Sequence, residues 1–130
     1  MKLNQLKKQA GLTLIEVTLV IAVLLGLISV LFIGVTAYRE GSNRANCILN
    51  ITNVQKAVRS YQNLYELEET DTLAEATFIG TGLMIETTPE CPSDGTYAFL
   101  GTVPEIGDLY LTCSLAGGTT MHEPNNYDGW

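Results

Sequence analysis

The stretch that decides the fold is LTLIEVTLVIAVLLGLISVLFIGVTA, residues 12–37. From Val17 to Ala37 it contains 21 consecutive residues without a charge. As a helix rising about 1.5 Å per residue, this run spans roughly 31 Å, which matches one hydrocarbon core of a bilayer. The sequence therefore predicts an N-terminal helix long enough to cross a membrane.

Charged residues are distributed unevenly around this helix. Three lysines lie within residues 1–11, and the positive-inside rule then places those residues in the cytoplasm and the C-terminal part of the chain outside it. From Glu66 to Asp128 there are twelve acidic residues and no Lys or Arg. Because proteins bind phosphate backbones mainly through Lys and Arg, this composition disfavours nucleic acid as a partner.

The residues that lead into the helix carry a specific motif. Residues 7–17 read KKQAGLTLIEV, a short basic leader that ends in Gly11 and is followed by an aliphatic Leu12 and by Glu16. A carboxylate inside an apolar segment is costly in lipid and usually marks function. The motif resembles the processing signal of type IV pilins and of the pseudopilins of type II secretion and competence systems.

This resemblance implies a maturation and assembly route. Gly11 is expected to be the last leader residue, removed on the cytoplasmic side by a prepilin peptidase that also methylates the new N-terminal amine of Leu12. Glu16 is expected to pair with the N-terminal amine of a neighbouring subunit, an attraction that is strong at low dielectric. The expected product is a homo-oligomeric helical filament, built on an inner-membrane assembly platform from a single-pass inner-membrane precursor and displayed in the periplasm or outside the cell.

Three alternatives remain at the sequence level. A pseudopilin would form a short filament in a type II secretion or competence system. A soluble secreted binding module would be released by signal peptidase after Ala37, because Val35-Thr36-Ala37 resembles its cleavage site. An uncleaved anchored protein would keep Met1. The mature N-terminus distinguishes these alternatives: it is Leu12 for a pseudopilin, Tyr38 for the secreted module and Met1 for the uncleaved protein.

The fold class predicted is α+β, a long N-terminal helix packed on a small antiparallel sheet, as in pilins. The predicted parts are a leader (1–11), a transmembrane or filament-core helix (12–37) and an exported head (38–130). Apolar residues at helical spacing predict that the helix continues into the head, with a buried stripe at Cys47, Ile51, Val54, Val58, Tyr61 and Tyr65. Thr72-Leu73-Ala74-Glu75 has the form of a capping box opening a short helix, and residues 96–100 and 109–113 are expected to form a hairpin.

The three cysteines raise the question of a disulfide. In an exported head we expect Cys91 to pair with Cys113, because closing a loop of about 22 residues is worth roughly 3 kcal/mol in the chain-entropy model. Cys47, on the apolar stripe, is then a buried free thiol.

Metal sites are less strongly indicated by the sequence. Together with His122 the three cysteines make a possible zinc set, but no pair has the close spacing of a structural zinc site, and export favours oxidation. No cofactor is therefore predicted. Calcium is the metal that the resemblance favours over zinc, because some pseudopilins bind it in a C-terminal loop, and the C-terminal part of this chain offers the oxygen donors Asp94, Asp108, Glu123 and Asp128. An enzyme is not expected, since the chain has one His and no recognisable catalytic motif.

Overall fold

The structure is a computed structural model that describes Gly11 and residues 13–130. A single long helix, α1 (Leu14–Tyr65), dominates it. Thr13 caps its start, because its side-chain Oγ1 accepts the N–H of Glu16 at 3.3 Å. The helix ends where Glu66 adopts a left-handed φ of 52° and the N–H of Leu67 donates to the carbonyl of Gln62 at 3.0 Å, the arrangement of a Schellman cap.

The chain divides between Ala37 and Tyr38 into two units. In the first unit, every residue from 13 to 37 is exposed. By length and composition this part of α1 can cross a membrane, and a signal sequence would meet the same criteria.

The second unit, called the head below, has its core on one stripe of α1. Cys47, Ile51, Val54 and Val58 are buried there, as the helical spacing predicts. Tyr61 is only half-buried and Tyr65 is exposed, so the stripe is about one turn shorter than predicted, because α1 extends beyond the core at its C-terminal end.

The sheet has two strands, β1 (Tyr97–Phe99) and β2 (Leu111–Cys113), paired antiparallel with Tyr97 opposite Cys113. Leu111 and Cys113 are buried while Thr112 between them is exposed, which is the alternation expected of a strand with one covered face. The predicted hairpin and the α+β class are therefore confirmed, with shorter strands than the sequence suggests.

The predicted capping box at residues 72–75 is wrong. Thr72 forms an isolated antiparallel bridge with Thr102, and the N–H of Leu73 donates to the carbonyl of Gly101 at 2.9 Å. These backbone bonds hold the segment extended, so that only a short 3₁₀ helix (Glu75–Thr77) follows, without a side-chain cap at Ala74.

Polar side chains of α1 fasten the rest of the head to the helix. Buried Gln55 donates from Nε2 to the carbonyl of Asp108 at 3.0 Å and accepts the N–H of Tyr110 at 2.9 Å. The Arg59 guanidinium donates to the carbonyls of Pro104, Glu105 and Trp130 at 2.8, 3.0 and 2.7 Å. The helix thus supplies hydrogen-bond partners to backbone that is otherwise irregular.

Candidate functional site

Two groups of residues bear on function, one in each unit. At the start of α1, Gly11 is exposed and Glu16 lies in the first helical turn. Leu12, the predicted mature N-terminus and methylation site, lies outside the described residues, as do residues 1–10 of the predicted leader. The first-turn position is electrostatically favourable for an acid, because the helix N-terminus carries partial positive charge.

The second group is a cluster of three sulfurs and one imidazole in the head, called the Cys3His cluster below: Cys47, Cys91, Cys113 and His122. All four residues are buried, and their potential ligand atoms lie within 4.8 Å of one another. They come from α1, from the loop before β1, from the end of β2 and from the C-terminal segment. This arrangement can hold a metal ion.

The Cys91 sulfur lies at the start of a turn formed by Cys91-Pro92-Ser93-Asp94-Gly95. The N–H of Asp94 donates to the carbonyl of Cys91 at 3.2 Å, and Asp94 has a left-handed φ of 59°. Burial raises the pKa of the Cys91 thiol, but hydrogen bonding to the thiolate, first from the backbone of Ser93 and Gly95, outweighs burial and lowers the pKa to about 7.

Gly95 is required by the closeness of the sulfurs. A Cβ at this position would lie 2.8 Å from the sulfur of Cys113 and 3.1 Å from that of Cys91. Any side chain here would therefore force the cluster apart.

The His122 ring bridges the cluster and α1. Its Nδ1 lies 3.4 Å from the Cys91 sulfur and its Nε2 lies 3.3 Å from Glu40 Oε1. Because an ionised carboxylate only accepts hydrogen bonds, Nε2 carries the proton, and in the neutral imidazole Nδ1 then presents its lone pair to the sulfurs. The backbone is held as well, since the N–H of His122 donates to the carbonyl of Leu115 at 3.0 Å and Arg44 Nε donates to the carbonyl of Met121 at 3.0 Å.

Cys47 has its own polar neighbour. The hydroxyl of Tyr97 donates to the Cys47 sulfur at 3.3 Å, and Asn50 Nδ2 donates to the same hydroxyl at 3.2 Å. Burial raises the pKa of the Cys47 thiol to about 12, although the Tyr97 hydrogen bond opposes that rise. Without a cation, this thiol therefore stays protonated at neutral pH.

Cys91 and Cys113 are brought together, but across the described residues all three cysteines are free and buried, so the predicted Cys91–Cys113 disulfide is not formed in the structure. The acids Asp94, Asp108, Glu123 and Asp128 form no ligand group within residues 13–130. Calcium is therefore not supported: Glu123, for example, accepts a hydrogen bond from the Tyr127 hydroxyl at 2.8 Å.

Sequence reasoning missed the neighbours Glu40, Gly95 and Tyr97. Glu40 is 82 residues from His122 in the chain, and no spacing rule relates two such positions. The available signal was the run Pro92-Ser93-Asp94-Gly95, because these are turn-forming residues and predict a turn directly after Cys91.

No protein-family model, curated protein or solved structure matches this chain. Function is therefore inferred from the residues and their geometry.

Proposed function

We propose that this chain is a prepilin-type subunit of a type IV pilus-like filament, processed after Gly11 and assembled through α1. The observation that supports this most directly is the KKQAGLTLIEV signal at residues 7–17. Its last four residues open α1, whose residues from Leu14 to Ala37 are all exposed. So large an apolar surface requires lipid or other apolar helices around it.

In the proposed assembly route, the apolar part of α1 lies first in lipid and then among the helices of other subunits. The precursor is held in the inner membrane by residues 12–37, and in the filament the same surface is covered by the helices of neighbouring subunits. Because lipid and a helix bundle are equally apolar, packing and polar pairing rather than the hydrophobic effect decide assembly. Glu16 supplies that polar pairing, to the amine of Leu12 in a neighbouring subunit.

The first test is the mass and N-terminal sequence of the protein extracted from cells that contain a prepilin peptidase. A chain that starts at Leu12, with one methyl group added to its amine, is the expected result. A start at Tyr38 would identify a signal peptide instead, and a start at Met1 an uncleaved anchored protein; either result would overturn the proposal.

The second test separates pairing from helix capping. Glu16 is the third residue after the Thr13 cap, a position from which a Glu or Gln side chain can bond the N–H of the capping residue, so truncation of the Glu16 side chain would remove a capping group together with the charge. Glu16→Gln keeps a capping-box residue but removes the charge, and we expect normal cleavage with loss of filament incorporation.

The control variant is Thr13→Ala, which removes the cap and keeps the acid. We expect it to assemble. Filaments formed equally well by the Glu16→Gln variant would show that the carboxylate does not direct assembly.

A further inference from the structure

We propose that Cys47, Cys91, Cys113 and His122 bind one Zn²⁺ ion in a closed structural site that holds the head together. This site is independent of the proposed filament function, since it uses no residue of the first unit. It assigns all three cysteines and the single histidine of the chain to one role.

The distances suit tetrahedral zinc. Zn–S bonds of about 2.3 Å and Zn–N bonds of about 2.0–2.1 Å place ligand atoms roughly 3.5–3.8 Å apart. In the head the four ligand atoms lie within 4.8 Å of one another, and Cys91 Sγ is 3.4 Å from His122 Nδ1. Side-chain movements of about 1 Å or less would complete the coordination.

The donor set selects the metal class. Three thiolates and one imidazole in a tetrahedral arrangement suit zinc, whereas calcium and magnesium require oxygen ligands. All four positions are filled by protein side chains and all are buried. The site therefore has no open position for substrate or water, which is the property of a structural rather than a catalytic zinc site.

The surrounding hydrogen bonds match what metal ligands need. Glu40 accepts from His122 Nε2 and so leaves Nδ1 for the metal, the carboxylate–histidine–zinc arrangement. The Tyr97 hydroxyl donates to the Cys47 sulfur at 3.3 Å. Donors to sulfur are appropriate because Zn²⁺ with three thiolates and a neutral imidazole keeps one net negative charge.

Binding of Zn²⁺ displaces protons from the thiols and involves no oxidation. The three thiols lose their protons to solvent as the Zn–S bonds form, and His122 binds in its neutral form with its proton on Nε2. The alternative is oxidation of Cys91 and Cys113 to a disulfide, which releases two protons and two electrons to an external oxidant. A disulfide would remove two of the four ligands, so the two states exclude each other.

The direct test is the metal content of the full-length protein, extracted in mild detergent without added chelator. We expect about one zinc per chain and no Cys91–Cys113 disulfide on peptide mapping. Two results would overturn the proposal. In one, the extracted protein contains no zinc and also takes up none when supplied with Zn²⁺ after thiol reduction; in the other, it contains a different metal.

Thermal unfolding, followed by the fluorescence of Trp130, gives a second readout. Returning Zn²⁺ to chelator-treated protein, at about 100 times the dissociation constant, should raise the melting temperature of the head by roughly 10–20 °C. The His122→Gln variant should show no such rise. As a control for general destabilisation, Leu73→Ala truncates a buried side chain outside the cluster and should keep its zinc.

A milder variant covers the case in which ligand substitutions do not fold. The side chain of Glu40 is 51% exposed, so Glu40→Ala should leave the fold intact while it weakens zinc binding about 10–100-fold, the usual effect of losing a partner of a metal-bound histidine. The matched control is Glu86→Ala, an exposed acid elsewhere in the head. Equal zinc affinity in both variants and in the wild type would show that Glu40 does not orient a ligand, and would count against the site.

Discussion

At the scale of single residues, Gly95 is the position where a small change has the clearest expected effect. A methyl group there meets two buried sulfurs and, at 3.1 Å, the side chain of Leu115. Buried neighbours cannot move aside freely, so we expect Gly95→Ala to lower the free energy of unfolding of the head by about 1–3 kcal/mol. Urea unfolding followed by the fluorescence of Trp130, the single tryptophan of the chain, measures this.

The control for Gly95 is a glycine in open space. A Cβ on Gly117 has no atom within 4 Å, and its φ lies outside the left-handed range. Gly117→Ala should therefore change stability by no more than about 0.5 kcal/mol. A similar loss in both variants would mean that backbone flexibility, not the closeness of the sulfurs, explains the effect.

Gln55 is the other residue whose role is purely local. Its amide accepts from the buried N–H of Tyr110 and donates to the part-buried carbonyl of Asp108. Gln55→Met keeps the size of the side chain but leaves both groups unpaired, and we expect a loss of about 2–4 kcal/mol in the same unfolding measurement. Asn53→Met, at an exposed position of α1, should be close to neutral. If the two methionine variants are equally stable, water must reach the freed backbone groups.

At the scale of elements, the part of α1 in the head has two faces that contribute unequally to the free energy of unfolding. Ile51 is 1% exposed on the core face, whereas Leu49 is 54% exposed. Ile51→Ala should cost about 2–4 kcal/mol through lost burial and a residual cavity, while Leu49→Ala should cost little, since its side chain is already largely in water. Matched unfolding curves of the two variants test this, and a large loss for Leu49→Ala would reveal a contact of that face that the isolated head does not show.

These elements also mark the limit of what the sequence predicts. The buried stripe of α1 and the hairpin follow from periodicity, because one covered face imposes a fixed spacing of apolar residues. The capping box at Thr72 fails because the bonds from Thr102 and Gly101 come from about 30 residues away. Local chemistry at Thr72 favours a helix start, and the tertiary pairing overrides it.

The Cys3His cluster illustrates the same limit. Its four residues were visible in the sequence, but their separations gave no reason to expect a common site, and export argued for a disulfide. Only the folding of three separate segments onto α1, which itself carries Cys47, brings the ligand atoms together. The prediction that is confirmed is the burial of Cys47, which follows from its place on the stripe.

At the scale of the whole molecule, the distribution of charge is the dominant feature. After Arg59 the chain carries twelve acids and no Lys or Arg, so the surface contributed by residues 66–128 is uniformly negative at neutral pH. Like charges on one small domain repel each other and destabilise its compact state. Any cations or basic partners in solution would therefore meet a favourable potential.

This repulsion predicts that the head becomes more stable as salt is added. Raising NaCl from about 0.01 M to 0.3 M shortens the Debye length from roughly 30 Å to less than 10 Å and screens most repulsion between exposed acids. We expect the melting temperature, followed by Trp130 fluorescence in full-length protein, to rise over this range. The exposed pair Glu68 and Glu69 offers a control: a double Glu→Lys variant places positive charge in the acidic region and should show a smaller rise than the wild type. A melting temperature that falls with NaCl in the wild type would mean that attraction between opposite charges in the head outweighs the repulsion among the acids.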